Sequence, residues 1–194
     1  MRIIGITGGI GSGKSVVLRL LGEEFGAYIV EADRLAHRLM EPGEIAYKRI
    51  IQEFGVDILD KNKNIDRVKL GSIVFNNEEK LNILNNIVHP AVKQTIIDMI
   101  EEQKKCNTKF FVIEAALLIQ DGYKNICDEI WYIYCNKDLR ISRLMEYRGY
   151  TRDRAESVIA SQESDEYFRT NSDKIVNNES DTEHLKIELF NILH

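Results

Sequence analysis

Short apolar runs alternate with helical apolar spacings along this 194-residue chain. Arg2-Ile3-Ile4-Gly5-Ile6-Thr7 reads as a short buried strand. Ser15 to Phe25 then places Val17, Leu18, Leu21 and Phe25 at helical spacing. Ala27 to Val30 reads as a second buried strand, running into Glu31-Ala32-Asp33. If that strand continues, Glu31 and Asp33 share a face, because strand side chains alternate. Arg34 to Met40 reads as helix, with Leu35, Leu39 and Met40 on one side and a stop at Pro42-Gly43.

From Glu44 to about Lys105 the pattern is helical and predicts no strand. Ile45, Ile50, Ile51 and Phe54 make one face, Leu70, Ile73 and Val74 another, and Leu81, Leu84, Ile87 and Val88 a third. His89-Pro90 is expected to open a separate, longer helix carrying Val92, Ile96, Ile97 and Ile100. A continuous apolar run from Lys109 to Leu118 then has the character of a central parallel strand, and Glu129 to Cys135 is a fourth. Asp138 to Tyr147 reads as helix, and Thr151 is placed to cap another that runs to about Gln162. Lys174 to Asn177 is a short fifth strand, and Glu183 to Leu193 an amphipathic terminal helix. The alternation predicts an α/β fold: a mostly parallel sheet of about five strands, covered by helices on both faces. The helices between the second and third strands suggest an inserted helical subdomain.

Composition narrows this little. A net charge of −5 gives no support for a broad nucleic-acid surface, so no nucleic-acid partner is expected. Cys106, Cys127 and Cys135 form no C-x-x-C pair, and reduced thiols in a cytoplasmic protein are the simplest reading. No apolar run approaches a membrane span and no leader is legible, so no membrane partner is expected.

One stretch carries chemistry. Gly8-Gly9-Ile10-Gly11-Ser12-Gly13-Lys14-Ser15 fits G-x-x-x-x-G-K-[ST], the phosphate-binding loop, and it lies between the first strand and the first helix as that motif requires. Glycines let the backbone curl so that its N–H groups reach phosphate oxygens. The following helix aims its positive end at the same charge. Lys14 is expected to reach the β- and γ-phosphates, and the Ser15 hydroxyl to ligate Mg²⁺. Gly8, Gly11, Ser12, Gly13 and Val16 complete the expected nucleotide-binding set.

Other candidates are less determined. Asp33 suits either the proton of an attacking hydroxyl or the N-cap of the helix starting at Arg34. Glu114 ends the Phe-Phe-Val-Ile run, where it either joins the Mg²⁺ shell or is a plain strand-end carboxylate. Arg140 and Arg143 share a helix face, from which arginines can stabilise a transferring phosphoryl group. Arg148, Arg152 and Arg154 follow, the last two reading as a solvated face. His89 suits a helix cap or a polar substrate group, and His37, His184 and His194 lack metal-ligand spacing. A guanine-nucleotide switch would carry D-x-x-G, which is absent; Asn136-Lys137-Asp138-Leu139 misses N-K-x-D by one place. A small-molecule kinase needs an acceptor subdomain and an arginine-bearing lid, and both are present.

Thr7 to Ser15 resembles the opening of dephospho-CoA kinases. Glu31-Ala32-Asp33 is similar to their Asp-Ala-Asp, His89-Pro90 to their His-Pro, and Ala116-Leu117-Leu118 to their Pro-Leu-Leu. The likeness continues from Arg143-Leu144-Met145 to Gln162 and through Ser172-Asp173 to Asn178, covering about the first 180 residues in order. The resemblance implies ATP-dependent phosphorylation of the ribose 3′-hydroxyl of dephospho-CoA, the last step of coenzyme A synthesis, with Mg²⁺. It implies a single phosphate-loop kinase domain made of a nucleotide core (1–33, 106–138 and 171–194), a helical acceptor-binding insert (34–105) and a lid (139–170). Carried over by position, Asp33 handles the acceptor hydroxyl, His89 helps hold the acceptor, Arg143 serves the phosphates, and Asn178 lies near the adenine. Lys14, Asp33 and Arg143 are thus the expected catalytic set, in a monomer. Four positions depart from the family: Glu31 for Asp, Val16 for Thr, Ala116 for Pro, and Tyr147 where the second lid arginine belongs, with Arg148 one residue late.

Overall fold

Five strands form one sheet in the order β2-β3-β1-β4-β5: β1 (Arg2–Thr7), β2 (Tyr28–Glu31), β3 (Phe110–Glu114), β4 (Glu129–Tyr134) and β5 (Lys174–Asn177). The computed structural model describes residues 1–194. Helices α1 (Lys14–Glu23), α2 (Ala32–Leu39), α3 (Ile45–Phe54), α4 (Arg67–Val74) and α5 (Glu78–Lys105) precede β3 or lead into it. Helices α6 (Lys137–Arg148), α7 (Arg152–Ala160), α8 (Asp165–Thr170) and α9 (Thr182–Leu193) follow β4. The chain divides into two units: Met1–Val30 with Gln103–His194, and Glu31–Glu102.

In the first unit β1 is central, parallel to β3 on one side and to β4 on the other, and β4 is parallel to β5. Alternation sorts the side chains. Ile4, Ile6, Val112, Trp131, Ile133 and Val176 point to one face, where they pack with Val17 and Leu21 of α1 and Leu185, Leu189 and Leu193 of α9. On the other face Gly5 leaves no spare room: a Cβ there would lie 2.7 Å from Ile130 Cδ1 and 3.0 Å from Cys127 Sγ. Burial pushes the Cys127 thiol up to about 12, so it acts as a small apolar group. Tyr132, on that face, stacks on Phe168 of α8 with ring centroids 5.1 Å apart. Carboxylates close the strand entries: Asp128 accepts from Ile3 N–H and Asp173 from Ile130 N–H, each at 2.7 Å.

The second unit is helical. Its longest element corrects the sequence reading, because His89-Pro90 opens no helix. Pro90 lies inside the 28-residue α5, whose buried residues Ile87, Val88, Ala91, Val92, Ile96 and Ile100 run through it without a break. Proline removes one N–H from the ladder, and the continuous apolar stripe on either side outweighs that loss. Three further differences concern ends. The chain turns helical at Ala32, so Asp33 lies in the first turn of α2 rather than on a strand face beside Glu31, and the N-cap is Glu31. The third strand stops at Glu114, not Leu118; turns follow, with Asp121 N–H donating to Leu117 and Tyr123 N–H to Leu118. The helix after Thr151 ends at Ala160, and the short α8 follows, capped by Ser164.

Candidate active site

The loop between β1 and α1 is built on its glycines. Gly13 adopts φ 89° and serves as the N-cap of α1 with no side-chain hydrogen bond, and no acidic residue stands in that helix's first turn. A Cβ on Gly13 would meet left-handed strain and also collide with the amide nitrogen of Asn178. The leading N–H groups of α1 are thereby left to an external acceptor, which suits an anion. Within the loop Ser12 N–H donates to Gly9 at 3.2 Å and Val16 N–H to Gly13 at 3.0 Å. The Ser12 hydroxyl is buried and has no hydrogen-bond partner in the protein. Val16 directs its side chain to the main core, while Ser15, the second residue of α1, is exposed.

Lys14 folds back over the loop. Its Nζ donates to the Gly8 carbonyl at 2.7 Å and lies 3.8 Å from Glu114 Oε1. Glu114 reaches this point because β3 pairs in register with β1, Glu114 opposite Ile6, one residue before the last of β1. The Ser15 hydroxyl and the Glu114 carboxylate are hard oxygen donors, a set that suits Mg²⁺. No cluster of three or more His, Cys, Asp or Glu stands ready to hold a metal by itself, and Mg²⁺ beside a nucleotide needs none, since phosphates and water supply its remaining ligands.

Behind the loop, Asn178 and Arg143 act together. Asn178 is 4% exposed; its Nδ2 donates to the Ser12 carbonyl at 2.8 Å. Arg143 Nη2 donates to the Asn178 carbonyl at 2.9 Å, and Nη1 lies 3.3 Å from the Ser12 carbonyl and 3.4 Å from Cys135 Sγ. Asn136 caps α6 by accepting from Leu139 N–H, so the near-match to a guanine-reading motif is a helix start. Helix α6 continues through Arg148 to Gly149, its C-cap at φ 63°. Arg148 therefore stays in helical register and is exposed, one residue beyond the position expected for a second lid arginine.

Sequence reasoning passed over two contacts on the loop's other side. Arg140 Nε donates to the Ile10 carbonyl at 2.8 Å, and its guanidinium lies where a Cβ on Gly9 would be. Gln162, just after α7, accepts from Ile10 N–H at 2.8 Å. Burial holds the Arg140 pKa below the usual arginine value. Arg140 was visible as the residue three before Arg143; Gln162 was visible only as the end of the family-like stretch, with no role attached to it. The structure thus brings Gly8, Gly11, Ser12, Gly13, Lys14, Ser15, Arg143 and Asn178 together in the first unit, with Val16 turned to the core.

Asp33 and His89 belong to the second unit. Asp33 is exposed, and beside it Glu31 pairs with Arg34 at 2.7 Å. His89 is half-buried within α5.

Comparison with known proteins names the family. The family model described as dephospho-CoA kinase matches residues 2–184. The chain belongs to the dephospho-CoA kinase family. It is 40% identical to the dephospho-CoA kinase of Geobacillus kaustophilus over 98% of this chain and 94% of that one. It is 39% identical to that of Carboxydothermus hydrogenoformans over 98% and 92%. The structure of the family's Campylobacter jejuni member superposes with a TM-score of 0.72 at 27% identity, covering 100% of this chain and 96% of that one. The family is one of kinases, with ATP as co-substrate, and no helix of this chain is long and apolar enough to cross a membrane.

Proposed function

We propose that this chain transfers the γ-phosphoryl group of ATP to the ribose 3′-hydroxyl of dephospho-CoA, giving coenzyme A and ADP, the last step of coenzyme A synthesis. The observation that carries the reading is family identity along nearly the whole chain, 98% of it against the Geobacillus kaustophilus relative. The uncapped start of α1 and the glycine loop support phosphate binding at Gly8, Gly11, Ser12, Gly13, Lys14 and Ser15. The buried Ser12 hydroxyl adds a donor with no internal partner.

In the reaction, the acceptor oxygen bonds to the γ-phosphorus as the oxygen bridging to ADP leaves, and the hydroxyl proton passes to the Asp33 carboxylate. Lys14 holds the β- and γ-phosphates. Arg143 fixes the loop through carbonyl oxygens and sets a guanidinium charge beside the phosphates. Asn178 shapes the loop under the nucleotide, and His89 helps hold the acceptor. Ser15, with Glu114, would hold Mg²⁺, which supplies charge neutralisation on the phosphates when bound. A cleft of about 290 Å³ in the second unit, lined by His37, Met40, Pro42, Asn64, Ile65 and Arg67, supports an acceptor-binding role for that unit. The reading is of a cytoplasmic monomer of core, acceptor-binding insert and lid, acting on a small molecule rather than nucleic acid, in keeping with a net charge of −5.

Purified chain given ATP, Mg²⁺ and either dephospho-CoA or adenosine tests this. Coenzyme A should form with dephospho-CoA, and adenosine should be phosphorylated far more slowly. Equal rates on both acceptors, or no coenzyme A, would overturn the assignment.

A further inference from the structure

The Ile10 peptide, at the apex of the phosphate loop, is gripped on both its polar atoms by the lid segment. Its N–H donates to Gln162 Oε1 at 2.8 Å and its carbonyl accepts from Arg140 Nε at 2.8 Å. The ring closes because Arg140 Nη2 also donates to Gln162 Oε1, again at 2.8 Å. One amide oxygen therefore joins a loop N–H to a lid guanidinium. The Ile10 side chain completes the attachment by packing on Ile141, Leu144 and Ala155, the small apolar centre of α6 and α7. Gln162 itself is exposed, so its hydrogen bonds, not its burial, are what it contributes.

We infer that Gln162 is a positioning residue for ATP: it ties the apex of the phosphate loop to Arg140 and so holds the loop in its phosphate-binding shape before the nucleotide arrives. The inference rests on the kinase reading only in assuming that the loop binds ATP. Without the amide, Arg140 keeps the Ile10 carbonyl but loses its second anchor, and the Ile10 N–H turns to water. Forming the loop then costs part of the nucleotide's binding energy. The interaction is made in the resting enzyme, so it acts on ATP affinity rather than on the chemical step.

Gln162→Ala separates this from a merely structural role. The KM for ATP should rise roughly five- to tenfold, the equivalent of one or two hydrogen bonds, with kcat within about twofold and the acceptor KM unchanged. Calorimetric titration with ATP alone should show the same loss, and it remains readable whatever the acceptor proves to be. In an Arg140→Ala background the effect of Gln162→Ala should shrink, because the shared ring is already open. Native exchange of the Ile10 amide should speed up in Gln162→Ala at unchanged melting temperature. Wild-type ATP affinity in Gln162→Ala, or the same loss with and without Arg140, would overturn the inference.

Discussion

Arg143 Nη2 donates to the backbone oxygen of Asn178 at 2.9 Å, while the Asn178 side chain donates to Ser12 at 2.8 Å. Helix α6 and the residue that follows β5 thus hold the phosphate loop from behind through one relay. Asn178→Ala removes a buried donor from the Ser12 carbonyl, which Arg143 still touches at 3.3 Å. Denaturant unfolding should show a loss of about 1–2 kcal/mol, and ATP binding should weaken with it. Unchanged stability would mean that Arg143 satisfies this carbonyl unaided.

Lys14→Ala should fold like the parent, because the side chain lies over the loop rather than in the core, yet lose most phosphoryl transfer. The paired readouts are the melting curve and turnover at saturating ATP. Near-normal turnover in a folded variant would remove this loop from the reaction.

Asp33→Asn keeps the shape of an exposed side chain in the first turn of α2 and removes its charge. If the carboxylate takes the hydroxyl proton, kcat should fall far more than acceptor affinity. Unchanged kcat with a raised acceptor KM would make Asp33 an anchor instead.

Two arginines of α6, Arg143 in its middle and Arg148 at its C-terminal end, should differ sharply. Arg143 meets carbonyl oxygens of Ser12 and Asn178 with two nitrogens, a fork that a lysine cannot reproduce, so Arg143→Lys should cut turnover on the order of 100-fold. Arg148 is exposed and helical, and Arg148→Lys should cost under about tenfold, or less than about 1.4 kcal/mol. Steady-state kinetics of both variants at saturating ATP decide the order.

Acid should loosen the attachment of α8 to the sheet. Burial is the largest single influence on Asp165 and pulls its pKa up, but hydrogen bonds from Arg169 and Tyr132, with the charges of Arg169 and Arg140, leave it below the ordinary 3.8. A depressed carboxylate contributes stability above its unfolded pKa and loses it as pH falls through the folded one. The stability gap between parent and Asp165→Asn should therefore be full at neutral pH and close below about pH 4.

What the sequence disclosed was local and periodic. Gly8 to Ser15 announce the loop by spacing, and five strands announce themselves by apolar runs whose neighbours supply the turns. Thr151 caps its helix as its place before Arg152 suggests, accepting from Arg154 N–H. The misreadings came where local rules lost to packing or to a competing start. Pro90 looked like a helix opening, but the apolar stripe from Ile87 to Ile100 continues across it. Asp33 looked like the end of a strand, but a helix begins one residue earlier, at Ala32. Ser12 was expected in the nucleotide set, and Gln162 ended the family-like stretch. The burial of the Ser12 hydroxyl and the contacts of Gln162 with Ile10 and Arg140 were illegible, because they lie in what stands opposite, set by tertiary contacts with no periodicity.

The central place of β1 has a consequence for synthesis. Strand β1 is made before its partners at Phe110–Glu114 and Glu129–Tyr134, so it cannot be paired on both sides until synthesis has passed Tyr134. Its loop waits longer still, since the donors that brace it come from Arg140, Arg143 and Asn178. A nascent chain released before Asn178 would carry the complete phosphate-binding motif and yet lack the means to shape it. Nucleotide binding is thereby tied to synthesis through Asn178, and ATP would stabilise chains that contain these donors in preference to shorter ones.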